Sequence, residues 1–205
     1  MRVAGVILAG GQSRRMGGGD KCLRLLGGTT ILRRIVDRAS SQVASLVLNA
    51  NGDPARFAAI DLPVVSDSVP GHAGPLAGVL AGLDWAAVQA PQCSHVASFA
   101  GDAPFLPRDL VARFIAALGR EGAQMAAAAS GGRTHPVFGL WPVALRDALR
   151  HAIVEEGIRK VDQWTARYAL AVIDYPAEPF DPFFNTNRPE DLELAERLTQ
   201  RMAGG

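Results

Sequence analysis

The apolar run Val3-Ala4-Gly5-Val6-Ile7-Leu8 leads without a break into Ala9-Gly10-Gly11-Gln12-Ser13-Arg14-Arg15-Met16-Gly17-Gly18-Gly19-Asp20-Lys21, and this junction constrains the fold more than any other feature of the chain. A strand-length apolar run followed at once by bare, basic main chain reads as a buried strand that ends at a ligand. From Leu8 to Lys21, fourteen residues hold five glycines, three cations and one acid. Glycine lets a backbone approach a bound group closely, its amides can form an anion-binding concavity, and nearby Arg and Lys add charge. The two common phosphate loops fail on spacing. A Walker loop needs Ser or Thr after its lysine, where this chain has Cys22, and no register of these glycines yields G-x-G-x-x-G.

The rest of the chain alternates short β-rich runs with longer helical patterns, the mark of βαβ units around a mainly parallel sheet. Strands are expected at Val3–Leu8, Leu46–Asn49, Val64–Ser66 and Val96–Ala100, each running out at Gly, Asn or Asp. Ile31, Leu32, Ile35, Val36, Ala39 and Val43 recur at helical spacing behind Thr29 or Thr30 as N-cap. Leu76, Val79, Leu80 and Leu83 repeat the pattern, as do Leu110, Phe114, Ile115 and Leu118. The second half predicts strands at Met125–Ala129, Pro136–Trp141 and Ala171–Tyr175 and a helix through Leu145–Ile153. A closing helix opens at Pro189, where Glu190 and Asp191 complement the positive end of its dipole. No repeat, low-complexity tract or linker interrupts the 205 residues, which are expected to form one domain with a core large enough to need no staples.

In an open α/β sheet, ligands bind beyond the carboxyl ends of the strands. The expected strands deliver Gly10 to Lys21, Asn49, Asp67 and Asp102 to that edge, although each alone also suits a turn. Asp102 ends an apolar strand and matches magnesium, which takes one or two carboxylates with water and substrate phosphates. Lys21 and Arg15 are then available to neutralise phosphoryl oxygens, a pattern that resembles a nucleotidyl-transfer site.

Other residues carry less. Cys22 and Cys93 lack metal-ligand spacing and are expected as reduced thiols of a cytoplasmic protein, with Cys22 packed rather than nucleophilic. His135 reads equally as a ligand contact or as support for a loop. His72, His95, His135 and His151 show no close pairing, which argues against zinc. With 21 basic and 20 acidic residues the net charge is +1, so no global field recruits nucleic acid, and anion binding must be local. No apolar run reaches the ~18–20 residues of a membrane span.

Taken in order, Leu8 to Lys21 matches L-A-G-G-x-S-x-R-M-G-x-x-D-K, and Asn49-Ala50-Asn51, Ser66–Leu83, Gly101–Phe105, His135–Trp141, Gly157–Val161 and Phe183–Leu192 follow it. On these motifs the chain resembles the molybdenum cofactor guanylyltransferases, the MobA type of nucleotidyltransferase, over nearly its whole length. The resemblance implies a three-layer α/β/α, Rossmann-like fold with a mainly parallel central sheet, one nucleotidyltransferase domain across residues 1–205. Its first part would bind GTP and its second part complete the molybdopterin site. By the same resemblance, Leu8, Ala9, Gly10, Gly11, Lys21, Asn49, Asp67 and Asp102 hold GTP, and Asp102 binds Mg2+. Arg15, Lys21 and Asp102 are then catalytic, while Arg15, Gly18, Gly74, Leu76, Asn185 and Asn187 lie on the molybdopterin side.

The implied reaction moves GMP from GTP to the phosphate of molybdenum-molybdopterin, giving the guanine dinucleotide cofactor and pyrophosphate. An acceptor phosphate is already ionised near neutral pH, so no general base is required. The implied partners are GTP, molybdenum-molybdopterin, molybdoenzymes, their chaperones and other cofactor-synthesis proteins, with neither nucleic acid nor membrane, in the cytoplasm. Three departures stand out: Arg188 where threonine is common before proline, an extra glycine in Gly17-Gly18-Gly19, and Gly27-Gly28-Thr29-Thr30 in place of G-K-P. Two other readings stay open, a CTP-dependent cytidylyltransferase of the same fold and a non-catalytic nucleotide-binding carrier or regulator. Base preference separates the first and turnover the second.

Overall fold

A computed structural model describes residues 1–9, 20–69, 71 and 74–203. Strands β1 (Val3–Leu8), β4 (Ser45–Asn49), β5 (Val64–Val65) and β6 (His95–Ala100) build the first half of the sheet, and β7 (Met125–Ser130), β8 (Arg133–Pro142) and β9 (Leu170–Tyr175) the second. A small separate hairpin, β2 (Leu25–Leu26) with β3 (Thr29–Thr30), turns on Gly27 and Gly28, both at positive φ. The helices are α1 (Ile31–Ala39), α2 (Pro75–Gln89), α3 (Leu110–Glu121), α4 (Arg146–Val154), α5 (Val161–Thr165) and α6 (Pro189–Ala203).

The seven-stranded sheet has the order β5-β4-β1-β6-β8-β7-β9. All neighbours are parallel except β8, which runs antiparallel to both β6 and β7. The chain leaves β1 towards β4 and β5 and then returns to β6 on the other side of β1. That reversal opens a crevice at the carboxyl end of β1, the topological switch point where such sheets take ligands.

Side chains alternate across each central strand and feed two cores. Ile7, Leu48 and Phe99 pack with α1 and α3 on one face, whereas Val6, Val47 and Val96 pack with α2 and α4 on the other. Burial on both faces explains why these strands read as continuous apolar runs. The layers are helix, sheet, helix, the expected α/β architecture.

Local chemistry sets the boundaries. Thr30 caps α1 by accepting from Arg33 N at 3.1 Å. The helix stops at Ala39, and Val43 lies in extended chain after a 3-10 turn at Ser40–Gln42, so the helical spacing that reached Val43 outran the helix. Helix α3 ends at Gly122 in the left-handed conformation, the usual glycine stop.

Strand β8 is longer than expected and not smooth. Gly139 pairs with Ala127 and His135 with Ala128, so Pro136, Val137 and Phe138 bulge out between adjacent ladder positions. The buried Ser98 of β6 holds this bulge. Its Oγ donates to Val137 O at 2.5 Å and accepts from Trp141 Nε1 at 2.8 Å and Gly139 N at 3.3 Å. The hairpin into β8 turns on Gly131 and Gly132, both at positive φ, as a two-residue type I′ turn requires.

Candidate active site

The crevice is a pocket of about 460 Å³. Its floor is the carboxyl edge of the sheet, where β1, β4 and β6 are locked in register. Ala9 N donates to Asn49 O at 2.9 Å, and Gly101 N donates to Leu8 O at 3.0 Å. A Cβ on Gly101 would lie 2.8 Å from Leu8 O and 3.0 Å from the Ala9 Cα, so glycine is what lets β6 close on β1 there. Leu8, Ala9, Lys21, Asn49, Asp67 and Asp102 all line the pocket.

On the β4 side, Asn49, Asn51 and Asp67 form one unit. Asp67 Oδ1 accepts from Asn49 Nδ2 at 3.0 Å, Asp67 Oδ2 from Asn51 Nδ2 at 2.7 Å, and Asp67 N donates back to Asn51 Oδ1 at 2.9 Å. Asn49 is buried and its amide also reaches Val65 O at 3.3 Å. The Asn49 nitrogen is thus engaged within the protein, while each Asp67 oxygen, with one side-chain donor among the described residues, has the capacity to accept from a group in the pocket. Asn51 belongs to a quoted motif but had no assigned role; its part emerges only from this pairing.

Helix α2 comes close through its glycines. A Cβ on Gly78 would meet Asn49 Oδ1 at 2.4 Å, and one on Gly82, a turn later on the same face, would meet the Val6 Cβ at 2.7 Å. Pro75 starts the helix after Gly74, whose φ of 69° favours glycine, and Gly74 sits at the pocket. Leu76 is fully buried in the core on the α2 face of the sheet and is not among the lining residues.

On the β6 side, Asp102 is 28% exposed in its side chain and carries Lys21 Nζ at 3.9 Å. Burial raises its pKa above the usual carboxylate value, with Lys21 and a backbone hydrogen bond opposing. The Lys21 ammonium also donates to Asn187 Oδ1 at 2.7 Å. With its amide nitrogen turned to the surrounding acceptors, Asn185 donates to Asp102 Oδ1 at 3.3 Å and Phe183 O at 3.2 Å. Between these two asparagines, the buried Thr186 points the other way, and both its N (2.9 Å) and its Oγ1 (3.0 Å) donate to Asp102 O. An extended strap therefore brings Asn185 and Asn187 to the site and pins the Asp102 main chain. The strap's far end is fixed by Asp191, whose Oδ2 accepts from Asn187 N and Arg188 N at 2.9 and 2.8 Å. From the first turn of α6 this acid reaches back to the two amides that precede the helix, the carboxylate half of a capping box.

The opposite wall is the start of β8, from Arg133 through the bulge. His135 stands on this wall. It lines the pocket, and its Nε2 lies 2.7 Å from Ser130 Oγ, which donates to Asp181 Oδ1 at 2.7 Å. Since the single Ser130 proton goes to Asp181, His135 donates from Nε2, and its Nδ1 is the acceptor of the neutral ring. Burial holds the His135 pKa below its ordinary value, against the pull of Asp181, with Arg133 adding to the depression. Cys22 also touches the pocket, but burial and the Asp20 carboxylate push its thiol up to about 12, so it packs rather than attacks.

Gly10, Gly11, Arg15 and Gly18, together with Arg14 and His72, lie outside the described residues. Among the described residues no group of three or more His, Cys, Asp or Glu side chains comes together. A cation held here would therefore have Asp102 as its protein carboxylate and complete its shell with water and phosphate oxygens. That donor set suits a hard ion such as magnesium, and the desolvated Asp102 carboxylate fits a site that gains from a positive charge. Sequence reasoning missed Arg56, Ser98, Ser130, Asp181 and Thr186, each of which has a partner distant along the chain.

Comparison with known proteins identifies the family. The MobA-like NTP transferase domain model matches residues 5–170. A molybdenum cofactor guanylyltransferase of Bradyrhizobium sp. (strain ORS 278) is 60% identical over 196 residues, covering 96% of this chain and 92% of that protein. Among solved structures, molybdopterin-guanine dinucleotide biosynthesis protein A of Archaeoglobus fulgidus superposes with a TM-score of 0.74 at 24% identity, over 98% of this chain and 100% of its own. A Mycobacterium tuberculosis H37Rv protein in complex with manganese shares the fold at a TM-score of 0.71 and 19% identity, over 96% of this chain and 99% of its own. The motif order, the crevice at the end of β1 and these full-length matches together establish that the chain belongs to the molybdenum cofactor guanylyltransferases, within the MobA-like NTP transferases.

Proposed function

We propose that the protein transfers GMP from GTP to the terminal phosphate of molybdenum-molybdopterin in a magnesium-dependent reaction. The observation that carries this reading is the meeting of Asp102, Lys21, Asn185 and Asn187 at one end of a crevice whose other side holds Asn49, Asn51 and Asp67. An acceptor phosphate oxygen attacks the α-phosphorus of GTP, the bond from that phosphorus to the bridging oxygen breaks, and pyrophosphate leaves with the electron pair. Such a reaction asks a protein for alignment and charge neutralisation, and little covalent work.

Each group has a task. Asp67, braced by two asparagine amides, accepts from base or ribose donors, and Asn49 holds it there. Leu8 and Ala9 present backbone close to the nucleotide; of the assigned residues outside the described ones, Gly10 and Gly11 go with the nucleotide, and Arg15 and Gly18 with molybdopterin. Lys21 neutralises phosphate oxygens, its partners among the described residues being Asn187 and a more distant Asp102. Asn185, Asn187 and Gly74 belong to the molybdopterin side, while Leu76, fully buried, supports that side from the core. Asp102 would hold magnesium, which would supply positive charge to the phosphate oxygens. The whole chain acts as one unit, since the strap after β9 reaches back to the carboxyl end of β6. No helix of the described residues is long and apolar enough to cross a membrane, and we place the reaction in the cytoplasm, where molybdoenzymes or their chaperones would take up the product.

The test is thermal unfolding with magnesium and each nucleoside triphosphate, followed by a transfer assay with molybdopterin. A ligand present at ~100 times its Kd adds about 2.7 kcal/mol to the folded state, roughly 5–10 °C for a chain of this size. Stabilisation by GTP alone, with transfer lost in Asp102→Asn, is the expected result. A preference for CTP moves the assignment to a cytidylyltransferase, binding without turnover to a carrier, and full transfer by Asp102→Asn refutes the metal role.

A further inference from the structure

Arg56 stands outside every motif and every assigned site residue, yet each of its three guanidinium nitrogens donates a hydrogen bond near the crevice. It lies on the 3-10 turn Pro54–Phe57 that follows β4, a turn capped by Asp53 Oδ1 accepting from Ala55 N at 2.9 Å. Its Nη1 donates to both carboxylate oxygens of Asp20 at 2.7 Å, its Nη2 to Asn51 O at 2.5 Å and its Nε to Asp53 O at 2.9 Å. The guanidinium carbon lies 5.0 Å from the ring centroid of the buried Phe57.

Both ends of this clasp matter. Asp20, only 14% exposed in its side chain, immediately precedes Lys21, and Asn51 is the partner that braces Asp67. A continuous chain of contacts thus runs from the phosphate end of the crevice to its nucleoside end: Lys21, Asp20, Arg56, Asn51, Asp67. The amino-terminal root of the glycine-rich segment is fixed by strand hydrogen bonds at Ala9, whereas its carboxyl-terminal root at Asp20 is tied down by Arg56.

We propose that Arg56 is a positioning residue for the donor nucleotide, setting the Lys21 root of the glycine-rich segment against the Asn49, Asn51 and Asp67 edge. This rests on the reading of the crevice as a GTP site. The geometry calls for arginine in particular, because a planar fork can serve a carboxylate and two carbonyls in different directions, and a lysine ammonium offers three donors from a single atom.

The experiment compares Arg56→Lys, Arg56→Gln and Asp20→Asn with the wild type in GTP titration calorimetry, steady-state transfer and thermal unfolding. Arg167→Gln, which removes an arginine paired with Glu156 and stacked on Trp164 away from the lining residues, serves as the structural control. All three clasp variants are expected to weaken GTP binding and raise its KM about tenfold or more, with kcat at saturating GTP changed far less. Arg56→Lys, although it keeps the charge, is expected not to rescue, and Arg56→Gln on top of Asp20→Asn is expected to add little, as groups acting through one contact do. Wild-type GTP affinity in the Arg56 variants overturns the proposal, and so does a KM rise that Arg167→Gln reproduces at equal loss of thermal stability. A wild-type protein with no GTP affinity identifies the site reading as the error and takes this inference down with it.

Discussion

Gly78 offers a strict test of how the crevice is built. Replacing a helix-interior glycine by alanine gains about 1 kcal/mol from propensity alone. At Gly78 the new methyl would stand 2.4 Å from Asn49 Oδ1 and 2.8 Å from the Leu8 Cδ2, both closer than real Cβ contacts allow. The Asn49 amide has no easy retreat, since it is buried and its nitrogen is committed to Asp67 Oδ1 and Val65 O. Overpacking of a close-packed site costs about 1–3 kcal/mol, so Gly78→Ala is expected to lose about 0–2 kcal/mol net. Gly119 on α3 meets nothing within 4 Å, and Gly119→Ala should collect the propensity gain undiminished. The two variants should therefore differ by about 1–3 kcal/mol, at roughly 2–4 °C per kcal/mol for a chain of this size. Urea denaturation gives the free energies, and GTP titration reads whether Asn49 and Asp67 have moved. Equal stabilisation by both alanines, with GTP affinity unchanged in Gly78→Ala, would refute the claim that this glycine exists for the approach of α2 to Asn49.

Two further outcomes follow from buried polar groups. Ser98→Ala leaves the Trp141 indole N–H and the Val137 carbonyl without the partner they share, at about 1–3 kcal/mol for each; a drop of less than ~1 kcal/mol in urea denaturation would show that the bulge does not depend on that hydroxyl. For His135 the folded-state pKa lies below the ordinary 6.5, so the unfolded chain takes up a proton first as pH falls. Its contribution is fully present above pH 6.5 and is lost as pH drops from there towards the folded-state pKa. His135→Gln should flatten the fall in unfolding free energy over that window, leaving the part due to His95, whose pKa burial also lowers; an unchanged slope would contradict the depressed pKa.

Much of this architecture was legible beforehand because it is written in local patterns. Strands β1, β4, β5 and β6 fall where apolar runs ended at Ala9, Asn49, Asp67 and Gly101, and the site residues cluster because a parallel sheet collects all its carboxyl ends at one edge. The limits of local reading show at α1, where the spacing ran on to Val43 and the helix did not. They show again at β8, whose reversed direction and three-residue bulge have no signature within Pro136–Trp141, since both depend on what flanks the strand.

Residue types and spacing by themselves determined the α/β class and the sheet edge at which Lys21, Asn49, Asp67 and Asp102 come together. Tertiary structure alone decided how those groups are held. Thr186 reaches Asp102 across 84 positions, Lys21 reaches Asn187 across 166, and Arg56 reaches Asp20 across 36. Periodicity reports how a chain buries its own apolar face over a few residues, so it finds strands, helices and their ends. A hydrogen bond between distant segments is chosen only when folding brings its donor and acceptor out of water together, and no short window of sequence contains both.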